Sequence, residues 1–101
     1  MRLSVIIPAY NEEKRIGQTL EAVGQYLARQ SYDAEIIVVN NRSHDRTAEI
    51  AHQYQNQFTS IRVLDESRPG KGYAVRAGML AAKGEYRIFT DADNSTSIEQ
   101  I

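Results

Sequence analysis

Two nearly continuous apolar runs constrain the fold more than any other feature of this sequence. "LSVIIP" (3–8) and "EIIVVN" (35–40) are rich in β-branched residues and show little alternation with polar residues. Strands of this kind are typical of a parallel sheet whose two faces are both covered by helices. Parallel neighbours need a crossover connection, and the stretch between the two runs is long enough for one helix. The runs therefore predict the centre of an α/β sheet.

The rest of the chain continues the same alternation. "IRVL" (61–64) and "YRIFT" (86–90) each contain an arginine, which predicts peripheral strands. Three intervening stretches repeat apolar or small residues at helical spacing, and small residues on one face favour close packing against a sheet. These positions are Ile16, Leu20, Val23 and Leu27, then Ile50, Ala51, Tyr54 and Phe58, then Ala74, Ala77, Gly78 and Ala81, with Gly84 as the predicted helix stop. We predict an open, mainly parallel α/β sheet with alternating, Rossmann-like helices.

The charge and composition exclude several classes of protein. The chain has 12 basic and 13 acidic residues, a net charge of -1 and no basic cluster, so no nucleic-acid partner is expected. No apolar run approaches the roughly 18 residues of a membrane span. The absence of cysteine excludes disulfides and thiolate metal sites and is compatible with a cytoplasmic location.

Polar segments follow all four predicted strands. They read "PAYNEE", "NNRSHDRT", "DESRPGKG" and "DADNST". Taken singly, each is more simply explained as a loop, and Ser43 in the second segment is expected to cap the helix that follows. In open α/β sheets, however, ligands bind outside the carboxyl ends of the strands. Four such segments on one edge therefore predict a binding site.

The last of these segments places two carboxylates two residues apart. In an extended segment, Asp91 and Asp93 point to the same side. A hard divalent ion that keeps several waters can bind one or two carboxylates together with the oxygens of a bound phosphate. The alternative is a helix cap supplied by Asp93, Asn94 or Ser95. The pair alone leaves both interpretations open.

The segment "RPGKGYAVRAG" does not match the common phosphate-binding motifs. Gly72 and Asp65 occupy positions where a Walker loop needs a hydroxyl residue and a glycine, and Val75 occupies that of the third glycine of the dinucleotide fingerprint. What remains is Lys71, with Arg68 and a helix N-terminus, as a weak anion site. A simple glycine-rich turn explains the segment equally well.

Taken in order, the motifs "VIIPAYNEE", "IIVVNNRSHDRT", "GKGYAVRAGML" and "TDAD" resemble the N-terminal half of a family-2 glycosyltransferase with the GT-A fold. The resemblance covers essentially the whole chain and is nearest to the dolichyl- and polyprenyl-phosphate glucosyl- or mannosyltransferases. It implies transfer of a sugar, usually with inversion, from a UDP-sugar or GDP-sugar donor. The implied acceptor is a lipid phosphate, such as a polyprenyl phosphate, or a saccharide.

The resemblance also implies roles for individual residues. Asn41 takes the place of a base-contacting aspartate, Asp91 would lie beside the ribose and diphosphate, and Asp93 with Asp91 would bind a divalent metal, Mg²⁺ or Mn²⁺. Lys71 near the diphosphate is our addition. The expected donor-binding residues are Pro8, Ala9, Tyr10, Glu12, Asn41, Lys71, Asp91 and Ala92.

Two departures from the family pattern matter. Asn40, Asn41 and Arg42 stand where the family commonly has two aspartates, often followed by a glycine. Because an Asn side chain offers donors and an acceptor, it matches the N–H and flanking carbonyls of uracil, which favours a UDP-sugar over a GDP-sugar. The family's catalytic base lies beyond Ile101, so no catalytic residue is assigned. The alternative is a non-catalytic nucleotide-binding module or an inactive fragment.

The end of the chain predicts a larger parent protein. "SIEQI" (97–101) is typical of a single helical turn, so residues 1–101 are expected to be the donor-binding part of a GT-A domain truncated at its C-terminus. The parent enzyme is expected in the cytoplasm, at the cytoplasmic face of a membrane. An uncovered strand edge would also be available for pairing in a homodimer.

Overall fold

The computed structural model describes residues 1–92, which form four strands and three helices in alternation. Within this range the strands are all parallel and lie in the order β3-β2-β1-β4. The predicted α/β class is confirmed, and the two apolar runs are the two central strands. The elements are β1 Leu3–Ala9, α1 Ile16–Ala28, β2 Ala34–Asn40, α2 Thr47–Gln57, β3 Ile61–Asp65, α3 Lys71–Ala81 and β4 Tyr86–Phe89.

The continuous apolar character of β1 and β2 reflects burial on both faces of the sheet. Val5 and Ile7 of β1 belong to one core cluster, which includes the apolar residues of α1 and Ala51 of α2. Ile6, between them, belongs to a second cluster that includes Ala74 of α3. Each successive strand residue therefore meets a helix, which removes the polar alternation of a half-exposed strand.

Small residues let α3 approach the sheet closely, as the sequence predicts. A side chain at Gly78 would overlap the side chain of Ile6, and Ala74 is fully buried. Gly84, in contrast, is not the helix stop, because α3 already ends at Ala81. A β-carbon at Gly84 would lie 2.7 Å from the backbone nitrogen of Ser4. Gly84 is therefore needed for close backbone approach rather than for a helix cap.

A buried polar network fixes the chain segment before β4. The Glu35 carboxylate accepts hydrogen bonds from the Ser4 hydroxyl (2.6 Å) and the Lys83 backbone N–H (2.7 Å), and an ion pair from Arg62 (3.0 Å). Gly84 donates its N–H to Ser4 Oγ at 2.8 Å. Burial raises the pKa of Glu35, but these bonds outweigh burial and hold the pKa below its ordinary value. The network thus sets where β4 begins.

The strand order creates a topological switch between β1 and β4. The chain proceeds from β1 to β2 and β3 on one side, and β4 then pairs with β1 on the other side. A crevice outside the carboxyl ends of the strands at such a point is the usual ligand site of open α/β sheets. Among the described residues, no helix is long and apolar enough to span a membrane. The predicted helical turn at 97–101 and Asp93 lie outside the described residues.

Candidate functional site

A cavity of about 510 Å³ lies at this switch point. Its lining combines the ends of β1 and β2, the segment that leads into α3, and the residues that follow β4. All eight predicted donor-binding residues line it, so the fold brings together residues up to 84 positions apart in the sequence. The lining residues are Pro8, Ala9, Tyr10, Glu12, Asn41, Lys71, Asp91 and Ala92 from the prediction, and in addition Arg42, Pro69, Gly70 and Ala74.

The loop after β1 is held by the loop after β2. Asn11 has a φ of 51°, in the left-handed region that asparagine tolerates, and its N–H donates to Ser43 Oγ at 3.0 Å. The Glu12 N–H donates to Thr47 Oγ1 at 2.7 Å. The prediction that Ser43 caps α2 is wrong, because the helix begins at Thr47 and Ser43 instead bonds the neighbouring loop. The cross-link leaves Tyr10 at the cavity with 56% of its surface exposed.

Asp45, which was not among the site residues predicted from sequence, strengthens this cross-link. Its carboxylate accepts from the hydroxyl and the N–H of Thr47, the latter at 2.9 Å, and from the N–H of Glu13 at 3.2 Å. Burial raises the pKa of Asp45, but the bonds from Thr47 and Glu13 more than offset it and lower the pKa. The only sequence signal was an aspartate two residues before a helix.

Asn41 holds the chain segment 66–70, which lies on the opposite side of the cavity and leads into α3. Its Nδ2 donates to the carbonyls of Glu66 (3.1 Å) and Arg68 (2.8 Å), and its Oδ1 accepts from the Gly70 N–H at 3.1 Å. Both amide hydrogens are therefore committed to this loop. The match to uracil predicted from sequence requires Asn41 to donate as well as accept, and this geometry removes the donor half of that match. One lone pair of Oδ1 remains for a ligand.

The same segment is also fixed by its own side chains. The Arg68 guanidinium makes a fork with the Glu66 carboxylate, with a shortest distance of 2.7 Å, and lies 4.6 Å from the centre of the Tyr73 ring. The bonds from Arg68 lower the pKa of Glu66, and the same partnership raises the pKa of Arg68. Arg68 therefore shapes the segment. This paired state differs from the anion-attracting role considered for it from sequence.

Arg42 adopts a conformation that suits glycine better. Its φ is 63°, in the left-handed region that disfavours side chains with a β-carbon. This is the position where the resembled family often has a glycine. The fold therefore keeps the turn that glycine would form, and it places an arginine on the cavity wall.

Lys71 and Asp91 meet at the cavity. The Lys71 ammonium lies 2.5 Å from Asp91 Oδ1 and 5.3 Å from the centre of the Phe89 ring. The Asp91 carboxylate therefore lies at the cavity, and carboxylate oxygens are the kind of ligand that a hard divalent ion prefers. Within residues 1–92, no three metal-ligating side chains cluster. A metal there would need further ligands, such as phosphate oxygens and Asp93, which lies outside the described range.

Ala92 is anchored in the core. It is 3% exposed and packs in the cluster formed by α1 and the sheet. Its carbonyl accepts a hydrogen bond from Thr19 Oγ1 of α1 at 2.5 Å, and Thr19 is 1% exposed. Thr19 was not among the site residues predicted from sequence. A polar residue on the apolar face of α1, next to Leu20, was the available signal.

The arrangement offers complementary chemistry around one cavity. An exposed aromatic ring lies on one wall at Tyr10, a single free amide acceptor on another at Asn41, and a cation beside a carboxylate where β4 ends. These groups would match a ligand that has a planar ring and an anionic chain and that binds together with a divalent ion. We assign no catalytic base among residues 1–92.

Comparison with protein families gives a match over nearly the whole chain. The model described as "Glycosyl transferase family 2" matches residues 4–101. A dolichyl-phosphate beta-glucosyltransferase of Trichomonas vaginalis is 41% identical over 102 residues, which cover 95% of this chain and 31% of that protein. The Drosophila melanogaster dolichyl-phosphate beta-glucosyltransferase is 42% identical, with 95% and 32% covered. The chain thus spans about a third of the length of these curated relatives.

Solved structures share the fold at substantial identity. A mannosyltransferase of Pyrobaculum calidifontis in complex with GDP-Man and Mn²⁺ superposes with a TM-score of 0.78 and 30% identity, over 91% of this chain and 27% of that one. TarS of S. aureus in complex with UDP gives 0.74 and 32%, over 92% and 28%. The GT-A class of the fold, predicted from the motifs, is confirmed by these neighbours.

Proposed function

Because the chain belongs to glycosyl transferase family 2, we propose that it forms the donor-binding part of an enzyme that transfers a sugar from a nucleoside-diphosphate sugar. One observation carries this proposal. All eight residues expected at the donor line a single cavity at the topological switch of the sheet. The proposed donor-binding part comprises residues 1–101.

The nucleoside would bind between the loops after β1 and β2. The exposed Tyr10 ring supplies a flat apolar surface for the base, and the Glu12 loop is already fixed by Thr47. Asn41 has one acceptor lone pair left after it bonds the 66–70 segment. One acceptor suits the single N–H of uracil, whereas guanine presents two adjacent N–H groups. We therefore favour a UDP-sugar over a GDP-sugar; because the solved neighbours include complexes with UDP and with GDP-Man, this preference rests on Asn41 alone.

The diphosphate would bind where Lys71 and Asp91 meet. Asp91 and Asp93 would hold a divalent ion, Mg²⁺ or Mn²⁺, which when bound supplies positive charge to the departing nucleoside diphosphate. The mannosyltransferase complex with GDP-Man and Mn²⁺ supports this choice of ion. The Lys71 ammonium would then leave Asp91 and donate a hydrogen bond to a phosphate oxygen, where its positive charge would offset the negative charge of the diphosphate.

We further propose a lipid phosphate as the acceptor and inversion at the sugar carbon. Two relatives above 40% identity are named for glucosyl transfer to dolichyl phosphate, which supports a polyprenyl-type lipid phosphate as acceptor. Attack from the face opposite the leaving diphosphate would invert the anomeric carbon. The base for this step would lie beyond Ile101. A lipid acceptor would require work at a membrane surface, and we propose its cytoplasmic face, as the resemblance implies.

The test is a transfer assay with the purified protein that carries this chain. UDP-glucose or GDP-mannose is incubated with a polyprenyl phosphate and Mn²⁺, and the glycolipid product is quantified. We expect product from the UDP-sugar, loss of product with Asp93→Ala, and little product from the GDP-sugar. Full activity of the Asp93→Ala variant would contradict the proposed metal site. A preference for GDP-mannose would contradict the assignment of uridine.

A further inference from the structure

The chain leaves the sheet before it reaches Asp91, one of the two predicted metal ligands. Pairing between β4 and β1 ends at Phe89 opposite Ile6, and the last backbone bond of the strand joins the Thr90 N–H to the Ile6 carbonyl at 3.0 Å. Strand pairing with β1 therefore does not extend to Asp91 or Ala92. Another contact has to determine the direction of the chain beyond Thr90.

Helix α1 supplies that contact through Thr19. The Thr19 hydroxyl donates to the Ala92 carbonyl, while the Ala92 side chain packs in the core cluster that also contains Ile16 and Leu20. Both partners of the bond are almost fully buried, so water does not compete for either group. This bond and the packing of the Ala92 methyl group together fix Ala92, and with it the direction in which Asp91 follows the end of β4.

Helix α1 is at the same time tied to the opposite wall of the cavity. Its first residue, Ile16, donates its N–H to the Glu12 carbonyl at 2.8 Å, and the Glu12 N–H is held by Thr47. The helix therefore links the loop that carries Tyr10 and Glu12 to the segment that carries Asp91. Thr19 is the side chain through which this link reaches Ala92.

We propose that Thr19 is a positioning residue of the donor site, which holds the Ala92 carbonyl and so directs the neighbouring Asp91 carboxylate into the cavity, toward the metal and diphosphate. The proposal rests on the proposed function. Thr19 itself is buried beneath Ala92 and lies outside the cavity lining. Its effect should therefore appear in metal-dependent diphosphate binding, whereas binding of the nucleoside alone should be spared.

The test compares Thr19→Val, which keeps the shape and removes the hydroxyl, with Thr19→Ser, which keeps the hydroxyl. Calorimetry measures the affinity for UDP with Mn²⁺ and, separately, for uridine without metal. We expect Thr19→Val to weaken UDP binding about tenfold, the effect of one buried hydrogen bond. Uridine affinity should change less than about twofold, and Thr19→Ser should restore UDP affinity to near the wild-type value.

A matched control is Ser4→Ala at the opposite end of the sheet. Ser4 is also a fully buried hydroxyl, bonded to Glu35 and Gly84, and it lies outside the cavity lining. We expect its removal to lower stability without changing metal-dependent UDP affinity. Equal loss of UDP affinity in Ser4→Ala and Thr19→Val would overturn the positioning role, since general destabilisation would then explain both.

A ligand-free readout separates this inference from the proposed function. NMR order parameters of Asp91 and Ala92 should fall below about 0.6 in Thr19→Val, while Thr90 stays near about 0.85. Wild-type order at both positions in that variant would refute the role of Thr19. If the wild-type protein fails to bind UDP with Mn²⁺, the proposed function is wrong, and the order parameters still decide whether Thr19 positions the segment.

Discussion

Replacing Asn41 by aspartate tests whether its side-chain amide holds the 66–70 segment beside the cavity. The change removes both donated hydrogen bonds, to the carbonyls of Glu66 and Arg68, and points a carboxylate at these two oxygens. The bond accepted from the Gly70 N–H can remain. Two lost bonds at about 1 kcal/mol each, with added desolvation of the stranded carbonyls, give a cost of about 2–4 kcal/mol in the free energy of unfolding.

The assay is denaturant unfolding of the wild type, Asn41→Asp and a control, Asn11→Asp. Asn11 is exposed and its Oδ1 accepts the His44 N–H at 2.8 Å, a bond that an aspartate can also accept, so the same change there should cost about 1 kcal/mol or less in the free energy of unfolding. The carbonyls should raise the pKa of the new carboxyl group at position 41. Its penalty is therefore largest at neutral pH and shrinks as the pH falls through that raised pKa, where a protonated acid can donate one bond.

Two results would refute the reasoning about Asn41. One is a cost no larger than that of Asn11→Asp, which would mean that the amide of Asn41 does not support the 66–70 segment. The other is a penalty that stays constant as the pH is lowered, which would mean that the new carboxylate does not face the two carbonyls.

Three further predictions follow from other parts of the structure. Lys71→Met should weaken UDP binding about tenfold or more, with uridine affinity unchanged in calorimetry, and an equal loss for both ligands would contradict a diphosphate role. Glu35→Gln should cost about 1–3 kcal/mol at pH 7 in denaturant unfolding. Because the folded-state pKa of Glu35 is lowered, the stability that its carboxylate contributes is present above the ordinary pKa of 4.5 and is lost as the pH falls through the folded-state pKa. A difference in the free energy of unfolding between wild type and Glu35→Gln that persists well below that range would contradict the network. Gly84→Ala should lower the free energy of unfolding by about 1–3 kcal/mol, because the added β-carbon would meet the Ser4 backbone. The control Gly72→Ala, where the added β-carbon meets no atom within 4 Å, should be neutral or stabilising. Equal effects of the two substitutions would contradict the close approach at Gly84.

The sheet could be predicted from sequence because its signal is local. The β-branched runs of β1 and β2 required cover on both faces, and this requirement fixed their central place in the sheet. The small residues of α3 likewise predicted its close approach at Gly78. The cavity lining followed from one rule, that parallel strands end on the same edge of the sheet.

The interactions that hold the site could not be predicted in the same way, because their partners are distant in sequence. Asn41 bonds carbonyls 25 and 27 residues away, and no side-chain pattern marks a backbone acceptor. Thr19 bonds a carbonyl 73 residues away. Gly84 looked like a helix stop because its close approach to Ser4 depends on the folded path of the chain.

The central claim is that the cavity binds a nucleoside diphosphate together with a divalent ion. Calorimetric titration of the purified protein with UDP and with GDP, each with and without Mn²⁺, tests it most directly, with Asp93→Ala as the matched variant. We predict that Mn²⁺ tightens UDP binding at least about tenfold, that Asp93→Ala abolishes this gain, and that GDP binds more weakly. UDP binding that is absent, or that is the same with and without Mn²⁺, would contradict the account.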